Sequence, residues 1–548
     1  MATQSRQDPQ ASAARYTSAQ RLTLLACILG SSAAFLDGTI VNVALPAIKF
    51  GLHGGLATQE WVVDAYLLTL GSLLLVGGSL GDVSGRRRIF ALGVAGFGIA
   101  SVGCAAAPDA AALIAARAVQ GIAAALLVPS TLALIMDTFS EHQRASAIGA
   151  WTAWTGIATV AGPLLGGLLI QVGSWRWVFI VNVPLVLATL WLVRRIPTRV
   201  APTGGDVDWV GGVLCAAGLG APIYALIEEP TYGWGDPRVW ASSLGGLLLI
   251  AFIAWERRTR TPMLPLGMFR SRNFGVGNLV TLGFYGALNV ITFFVVVFLQ
   301  QVGGYHPITA GLSLLPLSIL VFLLAKRFGG LADRYGPRLF MGSGPIVAGV
   351  GMLALLRLHA HPDYVTDMLP GVILFGLGLA LTVAPLTAAV LGSAGSGHSG
   401  VASGINNAVA RVSGLIAIAL VGALVAGQFS TRVHDGLARG PATPAYRAAV
   451  DRAAAATLDV RLPSGLAAAQ RPRVRSVLRS ASVDALHLAI RISALLAILS
   501  GFLSLLGIRN PPRQVSAASA PGGAICGASS DLEQSLAPSQ LQPHPASG

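Results

Sequence analysis

Charge is what this sequence has least of. Of 548 residues only 11% are Asp, Glu, Lys or Arg, against about 25% in soluble proteins. Hydrophobic residues make up 54%, and mean hydropathy is +0.68. A chain so poor in charge reads as a polytopic membrane protein. Lysine is nearly missing, present only as Lys49 and Lys326; the other basic residues are arginine. Cysteine is scarce too. Cys27, Cys104, Cys215 and Cys526 have neither C-x-x-C nor metal-ligand spacing, so no disulfide and no metal site are expected. The G-x-x-x-x-G-K loop that would bind ATP is missing. So are a His/Glu metal pattern and any prominent nucleophile–base pair, so an enzyme is not expected. No cleavable signal peptide is expected after the polar start, residues 1–21.

The net charge is +14, which raises the question of nucleic acid. The arginines, however, fall in short gaps between apolar runs, the positive-inside pattern. The bilayer, and not nucleic acid, is therefore the expected partner.

Apolar windows predict fourteen membrane helices, over 22–46, 59–80, 88–107, 110–136, 145–170, 177–196, 208–228, 239–256, 274–300, 307–327, 340–358, 367–391, 400–427 and 485–508. An even number puts both ends on one side. Arg86, Arg87, Arg88, Arg144, Arg194, Arg195, Arg257, Arg258, Arg334 and Arg338 fall on that side, which makes both termini cytoplasmic and the chain a multi-pass protein of the inner membrane. The polar segment 428–484 is then extracytoplasmic. Long loops cross regardless of charge, and its Ala-rich stretches predict short helices over the outer face. The tail 509–548 is rich in Pro, Ser and Gln and is expected to be disordered.

Two loops repeat. "GGSLGDVSGRRRIF" (77–90) and "GGLADRYGPRLF" (329–340) pair Gly78 with Gly329, Asp82 with Asp333, Gly85 with Gly336 and Arg87 with Arg338. Each follows the second helix of a six-helix half if helices 7 and 8 are an insertion. The expected domains are a tail (1–21), an N-terminal bundle (22–196), two inserted helices with a linker (197–272) and a C-terminal bundle (273–508). Such paired halves around a midplane site suit alternating access. The glycines permit tight turns. Asp82 is expected near the start of helix 3, where a carboxylate meets free N–H groups. Arg86 and its neighbours are expected to meet carboxylates or lipid phosphates.

These motifs resemble the major facilitator superfamily, and more narrowly its fourteen-helix drug:proton antiporters of the EmrB/QacA type. The likeness covers about residues 20–430 and the last helix. "LDGTIVNVALP" (36–46) resembles the first-helix motif of that group. "LIAARAVQGIAAALLVPS" (113–130) resembles its fourth-helix motif, with Arg117, Gln120 and Gly121 in place. "GIATVAGPLLGG" (156–167) resembles its fifth-helix antiporter motif, with Gly156, Gly162, Pro163, Gly166 and Gly167. "WRWVFIVNVP" (175–184) is similar to its entry to helix 6. Val83 departs from the pattern, which has a basic residue after the aspartate; Arg334 keeps one in the second copy, so a weaker latch is expected in the N-terminal half. The resemblance implies an exporter and gives Arg117 a role in proton coupling.

The residues suggest roles of their own. Asp37 lies roughly 13 Å from the outer end of its helix, near mid-membrane, where an ionisable group is costly and commonly functional. It reads as a protonatable site facing a wet cavity, where a proton and a cationic drug compete. Asn42 and Thr39 would add polar contacts there. Arg117 needs a partner at that depth, and Asp37 and Asp64 both qualify. Asp64, close to Tyr66, either faces the cavity mouth or marks the interface. Arg411, with Asn406 and Asn407 a turn before it, forms a polar row that either lines the cavity or is structural. Trp151, Trp154, Phe284 and Tyr285 are candidates for aromatic drug-binding walls. Small residues at 158, 162 and 166 make a flat packing face on helix 5.

The expected function is a secondary transporter, driven by the proton gradient without a cofactor, that exports hydrophobic or cationic drugs as a monomer. Two alternatives stay open: export of an endogenous metabolite such as an antibiotic or siderophore, and a non-transporting sensor with the same fold.

Overall fold

The computed structural model describes residues 16–196, 206–393, 399–438, 440, 443–464 and 466–510. Of the expected tails, 1–21 and 509–548, residues 1–15 and 511–548 lie outside the described residues, and 18–21 belong to the first helix. Among the described residues every regular element is helical and no strand occurs.

Among the described residues fourteen helices are long and apolar enough to cross a bilayer. Spans 1 to 6 are Ser18–Gly51, Leu56–Ser84, Arg86–Ala106, Ala110–Thr138, Ser146–Val172 and Trp177–Arg194. Spans 7 and 8 are Trp209–Tyr232 and Pro237–Glu256. Spans 9 to 14 are Arg272–Gln301, Pro307–Ala332, Pro337–Arg357, Tyr364–Gly392, Val401–Leu437 and Ala468–Gly507. Each predicted window overlaps one of them. The start of span 1 and the end of span 14 share one face, the terminal face; the other is the opposite face.

Local chemistry sets the ends. Thr17 and Gln20 form a reciprocal capping box before span 1, which satisfies free N–H groups of its first turn. The Asp109 carboxylate accepts from the Ala112 N–H at 2.8 Å and starts span 4. Gly85 (φ 94°) and Gly336 (φ 92°) turn the chain after spans 2 and 10. That conformation is open to glycine at no steric cost, which explains why the two repeated loops share it.

The packing repeats as well. Span 1 lies on spans 5 and 6, span 2 on span 4, and span 3 on spans 4 and 6. In the second half, span 9 lies on spans 13 and 14, span 10 on span 12, and span 11 on spans 12 and 14. Arg87 Nε donates to the Val193 carbonyl at the end of span 6, at 3.1 Å. Its counterpart Arg338 donates through Nε to the Leu505 carbonyl near the end of span 14, at 2.5 Å. Each half thus closes its sixth helix with the equivalent arginine, by supplying donors to carbonyls that a helix end leaves free.

Span 7 packs on span 2 of one half and span 13 of the other, and span 8 packs on span 7. Most of the described residues of 428–484 are helical. Span 13 runs to Leu437, a separate helix covers Pro444–Ala455, and span 14 begins at Ala468.

Candidate functional site

Asp37 is fully buried inside the N-terminal bundle. Its carboxylate accepts from three side chains on two other spans: Arg117 Nη1 to Oδ2 at 2.5 Å, Gln120 Nε2 to Oδ1 at 2.9 Å, and Asn182 Nδ2 to Oδ1 at 3.0 Å. Ser101 of span 3 braces the amides, its hydroxyl accepting from Gln120 Nε2 at 2.9 Å. Arg117 is 1% exposed. It also donates to the Val62 carbonyl (2.8 Å) and to Gln120 Oε1 (2.7 Å), and its guanidinium lies 4.3 Å from the Tyr66 ring centroid. Of the two partners open to Arg117, the structure selects Asp37. Helical spacing gives the reason: Arg117 and Gln120, three residues apart, share one face of span 4 and meet the carboxylate together.

A small cavity sits between the bundles. Gly38, Val41, Asn42, Val63, Tyr66, Leu67 and Arg117 of the first half border it, with Asn289, Phe293, Arg411 and Ile418 of the second. At about 40 Å³ it holds a water or two, so the bundles must part further to admit a drug. Asn42, Tyr66 and Arg411 therefore face it. Asp37 does not: Gly38, Val41 and Asn42 form the face of span 1 that borders the cavity, and Asp37 lies to one side, turned toward spans 4 and 6. The expectation that Asp37 faces the cavity is corrected here, and with it direct competition between proton and drug at that carboxylate. Arg117 is the residue that touches both.

The polar row on span 13 divides. Arg411 borders the cavity, but Asn406 donates to Asn278 Oδ1 (3.2 Å) and Thr281 Oγ1 (2.8 Å) of span 9. Five residues at 100° each put the two side chains about 140° apart. Neither tryptophan borders the cavity. Trp151 donates to the Ser31 hydroxyl at 3.0 Å and meets Phe35 edge-on, while Trp154 is 56% exposed. Asp64 lies fully buried on span 2. One turn before it Glu60, 2% exposed, faces Gly422 of span 13. Among the described residues no hydrogen bond reaches either Asp64 oxygen or Glu60 Oε1.

The fifth-helix motif joins the halves near the opposite face. A Cβ on Gly162 would strike Thr39, and one on Gly166 would lie 2.8 Å from Ile40 Cγ1 of span 1. A Cβ on Gly167 would strike the backbone of Ile308, and Gly311 sits equally close to the carbonyl of Pro163. Gly156 is the exception, with no atom within 4 Å of where its Cβ would stand; it belongs to the motif but not to this packing face.

A polar seal caps the same face. Lys49 Nζ, at the end of span 1, lies 3.3 Å from Asp459 Oδ2 of the segment between spans 13 and 14 and donates to Gln301 Oε1 of span 9 at 3.0 Å. Gln301 Nε2 in turn donates to Gln59 of span 2 at 3.2 Å. Lys49 is 3% exposed, so Lys49→Ala would strand Asp459 and Gln301. A loss of about 1–3 kcal/mol is expected in thermal unfolding, with faster thiol labelling of a cysteine placed at Asn42. Unchanged labelling would mean that the seal does not guard the cavity.

At the terminal face, Asp82 closes span 2 instead of capping span 3. It pairs with Arg86, 2.8 Å from Nη2, and Arg86 also bonds Asp137 of span 4. Asp82 lies in the last turn of span 2 and Arg86 opens span 3, so the turn at Gly85 brings the two side chains together. Arg86 thereby supplies the pairing that a basic residue at position 83 was expected to give. A Cβ on Gly78 would lie 3.6 Å from Pro129 Cβ of span 4. In the second loop Arg334 lies beside the Tyr335 ring, 5.5 Å from its centroid; the side chain of Asp333 lies outside the described residues.

Ser101, Asn182, Asn289 and Phe293 were not singled out from sequence. Asn182 had a signal, a polar amide inside an apolar run. Ser101 and Phe293 had none, because serine and phenylalanine are ordinary in membrane helices.

Two six-helix bundles meeting at a polar cavity define a secondary-transporter fold. A model of the Major Facilitator Superfamily matches residues 27–418, and the chain belongs to that superfamily. It is 38% identical over 416 residues to the puromycin resistance protein pur8 of Streptomyces alboniger, covering 73% of this chain and 80% of that protein. It is 36% identical over 418 residues to the tetracenomycin C resistance and export protein of Streptomyces glaucescens, covering 74% and 76%. It is 34% identical over 441 residues to the multidrug resistance protein Stp of Mycobacterium tuberculosis, covering 78% and 80%. Among solved structures, a bacterial homolog of the human lysosomal transporter Spinster, inward-facing and unoccupied, superposes with a TM-score of 0.61 at 17% identity, over 91% of this chain and 100% of that one. A D-xylose–proton symporter gives 0.56 at 13% identity, over 90% and 97%. These last two likenesses concern the fold alone.

Proposed function

We propose that this chain exports hydrophobic drugs across the cytoplasmic membrane in exchange for protons, as a fourteen-span antiporter of the EmrB/QacA type. Relatives named for drug resistance and export support the cargo class. The arginine-rich terminal face supports cytoplasmic termini. The protein acts as a monomer, with the proton gradient as its energy source and no cofactor. A narrower variant, export of one endogenous antibiotic, draws support from the tetracenomycin C relative.

The observation that carries proton coupling is the buried Asp37–Arg117 pair, whose arginine borders the cavity. A proton arriving on Asp37 removes the charge that holds Arg117. Arg117 keeps the Val62 carbonyl and Gln120, so span 1 is the partner that loosens. Span 1 also carries Thr39 and Ile40, which pack on the fifth-helix motif, and Lys49 of the seal. Protonation thereby acts on closure of the opposite face, and the bundles rock about the cavity. Each proton moving inward draws about 2.3 kcal/mol per 100 mV from the membrane potential.

Proteoliposomes with an acidic lumen test this. Puromycin, tetracenomycin C and ethidium are added in turn and proton release is followed with a pH dye. Release triggered by at least one drug in wild type and lost in Asp37→Asn is the expected result. Equal release by both proteins would move coupling away from Asp37, and no release by either would reject antiport.

A further inference from the structure

The cavity wall is unbalanced in charge. Two of its side chains are arginines and none is a carboxylate. Arg117 is neutralised from behind by Asp37. Arg411 has no such partner: among the described residues no hydrogen bond or ion pair is made by its guanidinium, and its one charge–ring neighbour is Phe35, 5.8 Å from the centroid. A cation left unpaired at membrane depth is costly, and such groups commonly mark a substrate path.

What surrounds it suits a guest with two ends. Tyr66 and Phe293 offer aromatic faces, while Asn42 and Asn289 offer amides. Gly71 of span 2 brings its backbone against the stem of Arg411, where an added Cβ would lie 3.3 Å from Arg411 Cβ. The stem is held between the bundles, and the head is left to the cavity. A guanidinium presents a planar fork of donors that matches a carboxylate with two parallel bonds and gives a single-oxygen anion charge-assisted bonds. A cationic guest would meet like charge, with no acid in the wall to offset it.

We infer that the transported compounds are aromatic molecules bearing an acidic group (a carboxylate, phenolate or enolate) and that Arg411 docks that group. The inference rests on the drug-export reading and narrows its cargo. It reverses the sign expected from Asp37, because Asp37 is turned out of the cavity and Arg411 into it.

Fluorescein and rhodamine 123 share a xanthene ring and carry opposite charge at pH 7.5, so they serve as matched probes. Binding to the full-length protein in phosphatidylcholine nanodiscs is read by fluorescence anisotropy, without any gradient. Fluorescein is expected to bind at least about tenfold more tightly than rhodamine 123. Arg411→Gln should weaken fluorescein by about tenfold to a hundredfold, the range for a hydrogen bond to a charged group, without weakening rhodamine 123. Arg411→Lys retains the charge and should recover part of the loss, which separates lost charge from misfolding. Tighter binding of rhodamine 123, equal binding of both dyes, binding of neither, or a charge preference unmoved by Arg411→Gln would each overturn the inference. Because no proton gradient is involved, charge-selective binding without drug-triggered proton release would leave the inference standing and remove proton antiport. Proton release with no charge preference would do the reverse.

Discussion

Arg117→Ala is expected to destabilise the protein by about 3–5 kcal/mol and to abolish export. The substitution leaves Asp37 fully buried with its charge uncompensated, and it removes the donor to the Val62 carbonyl that ties span 4 to span 2. The attraction within a buried pair is largely offset by desolvation, but breaking one side exposes the whole penalty of the other. Asp37→Asn combined with Arg117→Gln removes both charges and keeps polar groups in place. It should recover most of the stability and none of the proton coupling. Thermal unfolding of the purified variants, beside drug accumulation in cells, separates these effects. A single mutant that melts like wild type would show that this pair does not hold the bundle together.

Gly167→Val should cut export by more than about tenfold while costing stability only in the overpacking range, about 1–3 kcal/mol. A Cβ at Gly167 runs into the backbone of Ile308, which cannot rotate away as a side chain can. The face at risk is the contact between spans 5 and 10 that shuts the opposite side, so the fault falls on alternation more than on folding of either bundle. Gly156→Ala supplies the control, since nothing lies within 4 Å of the added methyl, and it should transport as wild type does. Equal loss in both variants would mean that helix flexibility, not close approach, is what the motif glycines provide.

The number and type of the spans were legible because a bilayer permits few solutions. Backbone groups in hydrocarbon must be satisfied within the helix, so each long apolar run has one reading. The duplicated loops were legible for a local reason: Gly85 and Gly336 each need positive φ, and glycine marks such a turn in the sequence. The fifth-helix motif was legible as a small face, since close helix approach needs small residues at regular spacing.

The direction of individual side chains was not legible. Asp37 and Gly38 are neighbours in sequence, yet one is sealed inside the bundle and the other borders the cavity. Asn406 and Arg411 lie on one polar stretch, yet the first bonds to span 9 and the second faces the opposite bundle. Periodicity gives angles relative to the helix's own axis, and only packing against the other spans fixes which angle points to the cavity. Lys49 and Asp459 stand 410 positions apart and meet only when the segment between spans 13 and 14 folds back over span 1.

By itself, then, the sequence determined an all-helical membrane protein of two related halves, because low charge, long apolar runs and repeated glycine turns leave no other economy of buried polar groups. The tertiary structure alone decided the partner of Arg117, the isolation of Arg411 and hence the charge of the cavity, because these depend on how fourteen helices are rotated against one another.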